Sequence, residues 1–250
     1  MDRGYVLHSY PYRETSLILQ AWTQKHGRLG LVAKGARRPK SSTRSVLVPF
    51  QALALDWFGR GELRTLKTAE PASPATPLAG ASLLSAFYLN ELLLKLTTRD
   101  DPHEGLFAAY DEAIGAMRSL SRAVPPATQR DIEPVLRRFE LRLLQELGYA
   151  VELAREAGTH APIIAEREYL YVVERGPVPA APGETPSNAV KLTGQTLIDL
   201  ERGDFASAIT ASQSKQLMRL LIHHSLNGQE LATRSLVRDL QRIEGEEGGA

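Results

Sequence analysis

SLILQAWTQKHGRLGLVAK, Ser16 to Lys34, holds two β-rich segments, SLILQAW and RLGLVAK, with a tight Lys25-His26-Gly27 turn leading into the second. The same texture continues on both sides. YVLHSY precedes it across the turn residues of PYRET, VLVPFQALALDWF follows with partial alternation, and Gly59-Arg60-Gly61-Glu62 turns into LRTLKTA. Five short strands in about seventy residues predict a small barrel of the OB type, which binds single-stranded nucleic acid on one face and through its loops.

The connection between the third and fourth predicted strands is the strongest anomaly of composition. LVAKGARRPKSSTR, Leu31 to Arg44, carries Lys34, Arg37, Arg38, Lys40 and Arg44 without one acid, in a 250-residue chain of net charge +1. No acidic residue lies between Glu14 and Asp56, where Lys25 and Arg28 add to the five. Residues 1–80 sum to +7 and residues 81–250 to −6. A solubilising charged face is the plain alternative, but so long an acid-free block is the footprint of a surface that meets polyanions. Gly35, Pro39 and the Ser-Ser-Thr run predict an irregular loop, free to track phosphates. Of the aromatics in the barrel segment, Tyr10, Tyr12, Trp22, Phe50, Trp57 and Phe58, most are assigned to the core. Tyr12, in the turn YPYRE, is the candidate exposed ring for stacking a base.

EPASPATPLAG, residues 70–80, ends the strand pattern, because prolines among small residues continue neither a strand nor a helix core. Beyond it apolar residues recur every three to four positions: Leu83, Leu84, Phe87, Tyr88, Leu92 and Leu96, then Phe107, Tyr110, Ile114 and Met117, then Leu136, Phe139, Leu143 and Leu147 before Gly148. EYLYVVERGPVPAAPGETP breaks this with a strand or hairpin and a Pro-rich loop. Helical signals resume at Thr193, run through SKQLMRLLIHHSL to a stop at Asn227-Gly228, and return in ELATRSLVRDLQRI before a frayed EGEEGGA tail. The predicted fold is α+β: an OB-fold domain over 1–80 and a mainly helical domain over 81–250, with an irregular, cysteine-free insertion at about 151–190.

Several chemistries are disfavoured. There is no cysteine, hence no disulfide and no thiolate-bound metal. No apolar run reaches membrane-spanning length and the N-terminus lacks a secretory pattern, so a cytoplasmic protein without a membrane partner is expected. Neither a phosphate-binding G-x-x-x-x-G-K-[ST] nor a G-x-G-x-x-G occurs; GRGELR reads as a hairpin turn. The six histidines form no i,i+4 pair, and the adjacent His223 and His224 diverge on a helix. A hydrolase built on them needs an acid or nucleophile beside them that the sequence does not show. No catalytic residue, metal or cofactor is therefore expected. On LRRFELRLL, Arg137, Arg138 and Arg142 rim a stripe of Leu136, Phe139 and Leu143; this is either core with a charged flank or a groove for an acidic, aromatic-tipped peptide. From the residues alone, a DNA-binding protein and an RNA-binding OB-fold accessory protein both fit the barrel and its basic block.

The sequence resembles the RecO family of bacterial recombination mediators. The resemblance rests on ETSLILQAWTQKHGRLGLVAKGARRPKSS and VPFQALALDWFGRGELRTLKTAE, then LRRFELRLLQELGYAVEL, then RLLIHHSLNGQELATRSLVRDL, and so spans nearly the whole chain. It implies an OB-fold domain joined to a helical domain, without enzymatic turnover. It implies binding of single- and double-stranded DNA, annealing of strands coated with single-stranded DNA-binding protein, and work with RecR, in some bacteria also RecF, to load RecA in the nucleoid. Carried over, the DNA contacts are Lys34, Arg37, Arg38, Lys40 and Arg44. The acidic C-terminal tail of the single-stranded DNA-binding protein is expected on the helical domain, with Arg137, Arg138, Phe139, Arg142 and Leu143 as the candidate pocket. Many family members carry a four-cysteine zinc module where this chain has VELAREAGTHAPIIAEREYLYVVERG. Zinc is not expected here, and Tyr169, Tyr171 and Val173 are expected to hold the insertion by packing.

Overall fold

The computed structural model describes residues 1–235 apart from 75, 150, 184 and 234. Most of ELATRSLVRDLQRI and the EGEEGGA tail lie outside the described residues. The chain forms two compact units, Met1–Thr128 together with the described residues from Leu231 onward, and Gln129–Glu230.

The first unit opens with β1 (Asp2–Tyr12), β2 (Ser16–Thr23), β3 (Gly27–Ala33), β4 (Leu53–Phe58) and β5 (Leu63–Pro71), which close a barrel in the order β1-β2-β3-β5-β4. All pairings are antiparallel except β3 with β5. Closure demands close approach there: a Cβ on Gly30 would stand 2.6 Å from the Glu62 carbonyl oxygen, so only glycine fits. Alternation sends Val6, Leu19, Ala21, Leu29, Leu31, Ala33, Leu53 and Leu55 inward, joined by Ala36 and Leu47 from the basic connection.

Two expectations are corrected. The connection after β3 is not wholly irregular, because Ser42–Val46 forms the short helix α1. In VLVPFQALALDWF the regular strand begins only at Leu53. Phe50 takes a left-handed φ of 66° and its carbonyl accepts from the Arg118 guanidinium, which leaves Pro49 in an isolated bridge to Val6, apart from the strand.

Helices α2 (Gly80–Leu96) and α3 (Glu104–Ser121) belong to the same unit and cover part of the barrel's outer face. Asn90 Nδ2 donates to the Leu7 carbonyl at 2.9 Å and Tyr110 Oη donates to Asn90 Oδ1 at 2.6 Å, all buried. Tyr5 packs against Phe107 and edge-on against Tyr110, and its hydroxyl donates to Asp111, which also takes Arg3 at 2.7 Å. Burial, followed by that carboxylate, pushes the Tyr5 hydroxyl up to about 12. Arg28 donates to the Thr97 carbonyl at the end of α2, at 2.7 Å. Trp22, cross-strand partner of both Tyr5 and Arg28, is fully buried.

The segment from Leu231 is tied to α2 by one carboxylate. Glu91 accepts from the backbone N–H groups of Ala232 at 2.8 Å and Thr233 at 2.9 Å, and from the Thr233 hydroxyl at 2.7 Å. Burial raises its pKa, but these three donors outweigh that and hold it below the usual carboxylate range. A depressed folded pKa gives stability that is present above the unfolded value of about 4.3 and is lost as pH falls through the folded one. Glu91→Gln is therefore expected to cost about 1 kcal/mol at neutral pH and to flatten the acid limb of a stability profile from urea melts; an acid limb as steep as wild type would exclude this role.

The second unit contains α4 (Gln129–Glu146), β6 (Glu168–Val172), β7 (Gly176–Pro179), β8 (Ala189–Thr193), α5 (Gly194–Arg202) and α6 (Ala208–Ser225). The sheet order is β7-β6-β8, so the expected hairpin has a third strand; β8 is short and runs directly into the Thr193 N-cap of α5, where the helical signal hides it. Tyr169, Tyr171 and Val173 are buried, at 0, 1 and 8% exposure, as expected of residues that hold this segment together.

Candidate nucleic-acid interface

The basic connection is anchored at its start and open along its length. The Arg37 N–H donates to the Thr15 carbonyl at 2.8 Å, the Arg38 N–H to Gly35 at 3.1 Å and the Ser41 N–H to Arg38 at 3.0 Å. Gly35 takes a φ of 70°, a turn conformation that a side chain there would strain. Buried Ala36 pins the turn to the barrel core. Lys34, Arg37, Arg38, Lys40 and Arg44 are all exposed, the last on α1. Among the described residues none of the five pairs with a carboxylate. Elsewhere in this unit Arg3 pairs with Asp111, Arg64 with Asp100, Lys67 with Asp56 and Arg99 with Glu62. The connection thus concentrates five cations that no carboxylate of the described residues compensates, the condition under which phosphate binding releases counterions.

The aromatics divide by strand register. Trp22 and Phe50 are buried and Trp57 packs against the barrel core. Tyr12 is half-buried, with the Arg13 guanidinium 5.2 Å from its ring centroid. The most open rings of the barrel strands are Tyr10 at 39% and Phe58 at 56% exposure. They stand at opposite ends of one cross-strand row on the outer face: Tyr10 opposite Ile18, Ile18 opposite Val32, Val32 beside Thr65, Thr65 opposite Phe58. His8, one position along the same face, lies 6.1 Å from Tyr10 ring to ring. Sequence reasoning missed this row because it depends on the parallel β3–β5 pairing, which no local pattern announces.

In the second unit the structure separates the residues of the candidate peptide pocket. Phe139 and Leu143 are in the core at 1 and 0% exposure. Arg137 is buried and bound to buried Glu140 at 3.0 Å. Arg138 is exposed, donates to the Gly203 carbonyl at 3.1 Å and lies over the Phe205 ring at 5.4 Å; Arg142 is exposed and pairs with Glu146 at 2.6 Å. The stripe is core, and of the five candidate pocket residues Arg138 and Arg142 are the exposed ones. His224 Nε2 lies 3.1 Å from Glu174 Oε1, an acid brought in from 50 residues away, but both side chains are exposed and make a solvated surface contact.

The insertion does not fit a zinc ion. Among the described residues no three His, Cys, Asp or Glu side chains converge. Its buried carboxylate, Glu156, is occupied by Thr159 at 2.9 Å, Arg167 at 2.9 Å and the Tyr169 hydroxyl at 3.1 Å, which together hold its pKa down.

Residues 1–75 match the family model for the N-terminal part of recombination protein O, and residues 79–224 match the model for its C-terminal part. The DNA repair protein RecO of Azoarcus sp. is 48% identical over 241 residues, covering 96% of each chain. That of Nitrosospira multiformis is 46% identical over 240 residues, 96% of this chain and 95% of the relative. That of Ralstonia nicotianae is 47% identical over 240 residues, 96% of this chain and 84% of the relative. Two successive family models and relatives matched along almost their whole length, on a closed five-stranded barrel with a helical remainder, place the chain in the recombination protein O family, the RecO proteins of DNA repair.

Proposed function

We propose that this protein serves recombinational DNA repair in the cytoplasm as a non-enzymatic mediator. It binds single- and double-stranded DNA through the barrel and the basic connection, and anneals complementary strands coated by single-stranded DNA-binding protein. With RecR, and with RecF as a further partner, it promotes loading of RecA. The observation that carries this reading is the run of five exposed cations between β3 and β4, without carboxylate partners among the described residues, in a chain that belongs to the RecO family. The acidic C-terminal tail of the single-stranded DNA-binding protein is assigned to the second unit, with Arg138 and Arg142 as the contacts on α4 that remain accessible to a carboxylate.

Strand annealing tests DNA function and partner together. Complementary oligonucleotides coated with intact single-stranded DNA-binding protein should anneal faster in the presence of this protein, and the acceleration should be lost when the coating protein lacks its acidic tail. Annealing that ignores the tail, or a tail peptide that fails to bind at tens of micromolar, would remove the partner assignment. No acceleration on bare strands would remove the annealing function itself.

A further inference from the structure

The lysines of this chain divide by what holds their amines. There are seven: Lys25, Lys34, Lys40, Lys67, Lys95, Lys191 and Lys215. Four are in ion pairs, Lys67 with Asp56 at 3.0 Å, Lys95 with Glu91 at 3.8 Å, Lys191 with Glu168 at 2.7 Å and Lys215 with Glu133 at 2.5 Å. Lys25, Lys34 and Lys40 are exposed and, among the described residues, their amines meet no carboxylate. Lys25 stands apart from the other two. It lies in the β2–β3 turn, and the seven residues of β3 separate it from Lys34 by roughly 23 Å.

Lys34 and Lys40 share the connection after β3 with Arg37, Arg38 and Arg44. The Arg38 side chain folds back over the turn, its Nε 3.4 Å from the point where a Cβ on Gly35 would stand, so its guanidinium lies beside the residue that follows Lys34. On the other side the Ser41 N–H closes on the Arg38 carbonyl at 3.0 Å, which keeps Lys40 next to the same arginine. Glu14, in the β1–β2 turn beside the Thr15 carbonyl that anchors Arg37, pairs with none of these cations among the described residues.

An amine in such a setting is a nucleophile whose neighbours gather its own acyl donor. An acyl phosphate joins a reactive carbonyl to a phosphoryl group of nearly two negative charges, and guanidinium groups grip phosphoryl oxygens in pairs. With the phosphoryl group on Arg37 and Arg38, the uncharged form of the lysine Nζ attacks the carbonyl carbon. The N–C bond forms, the C–O bond to phosphorus breaks, and phosphate leaves with the bonding pair. Of the two protons that the ammonium group gives up, one goes to the phosphate and one to water. The product is a neutral amide. Arginine, always protonated, does not react in this way.

We propose that Lys34 and Lys40 are acylation sites, modified by a small acyl phosphate that the neighbouring arginines dock, and that the modification sets the strength of DNA binding. The second half rests on the reading that the connection binds DNA; the first does not. The connection then has a fixed part, Arg37, Arg38 and Arg44, and an adjustable part, Lys34 and Lys40. Modification of both lysines takes its charge from +5 to +3, the five cations less two.

The test incubates the full-length protein with acetyl phosphate at about 20 mM salt and follows each lysine by peptide mass spectrometry. Lys34 and Lys40 should react roughly fivefold faster than Lys67, Lys191 and Lys215, whose amines must first leave their carboxylates. Lys25, unpaired but outside the arginine cluster, should fall between. Arg37→Gln with Arg38→Gln should bring Lys34 and Lys40 down to the Lys25 rate, and so should about 500 mM salt on the wild type, where charges more than about 5 Å apart are screened. Equal rates at all these lysines, or rates at Lys34 and Lys40 that ignore the arginines, overturn the site.

Anisotropy of a labelled oligothymidine reads the consequence. Lys34→Gln with Lys40→Gln, uncharged like the amide, should lower the salt slope by about 1.4 and the affinity roughly sixty-fold at about 50 mM salt. Lys34→Arg with Lys40→Arg should bind like wild type and keep its affinity after acetyl phosphate treatment. Protein modified at both lysines with an unchanged slope overturns the control of DNA binding. If unmodified wild-type protein binds no oligothymidine, the DNA-binding reading fails, and the pattern of acylation still decides the site.

Discussion

Replacing both Arg37 and Arg38 by alanine is expected to weaken single-strand binding roughly sixty-fold at about 50 mM salt, and replacement by glutamate further still. The magnitude follows from counterion release: each phosphate contact on a single strand contributes about 0.7 to the slope of log affinity against log salt, or roughly eightfold at that concentration. Two contacts therefore remove about 1.4 from the slope. Both side chains are exposed and neither is committed to a carboxylate, so the fold should survive the change. The matched control is Arg175→Glu with Arg202→Glu, two exposed arginines of the other unit, which alters net charge equally but should leave the slope in place. Fluorescence anisotropy at several salt concentrations checks both. A glutamate double variant with wild-type affinity and slope would show that phosphate is bound elsewhere.

Trp22→Ala should be the most damaging single substitution for stability, at about 3 to 5 kcal/mol. The ring is fully buried, between Tyr5 with its α3 partners on one side and Arg28 with its α2 contact on the other. Removing it opens a void at the junction of sheet and helices that a rigid barrel cannot collapse to fill. At roughly 2 to 4 °C per kcal/mol, the calorimetric melting temperature should fall by about 10 °C. The indole N–H is buried without a hydrogen-bond partner, so no bond is lost with it and packing accounts for the cost. Trp22→Phe, which keeps most of the volume and deletes the orphaned donor, should cost much less. A loss below about 1 kcal/mol for the alanine variant would mean that α2 and α3 do not seal this face.

The five strands, the three helices after Gly80 and the exposure of the basic connection were all legible in the sequence, because period-two and period-3.6 patterns are local and an acid-free run is visible at once. Four features were not. The α1 turn is five residues of Ser, Thr, Arg and Val, too short for any periodicity. β8 is contiguous with α5 and has only Leu192 fully buried, so its alternation is too brief to register. On α4 the amphipathic stripe was visible, but whether Phe139 and Leu143 face a partner or their own core is a tertiary matter, settled by what packs against them. The Tyr10–Phe58 row joins residues 48 positions apart through three intermediates, one of them across the parallel pairing, and register of that kind is fixed by closure of the whole barrel.

The covering of Tyr5 and Trp22 by α2 and α3 has a consequence for how this molecule can be divided. A chain cut in the Pro-rich stretch before Gly80 would keep every barrel strand, yet it would expose two large rings, the Leu7 carbonyl and the unpartnered face of β1 and β2 to water. Such a fragment would self-associate through that patch before it could report on DNA. A fragment that retains the helices but ends at Thr128 would still lack Ala232 and Thr233 on Glu91, and with them the last hydrogen bonds of its own unit. The smallest part of this protein that can be studied alone is thus not a contiguous piece of its sequence. It is the barrel, its two helices and the returning strand of chain, spliced across the place where the second unit leaves.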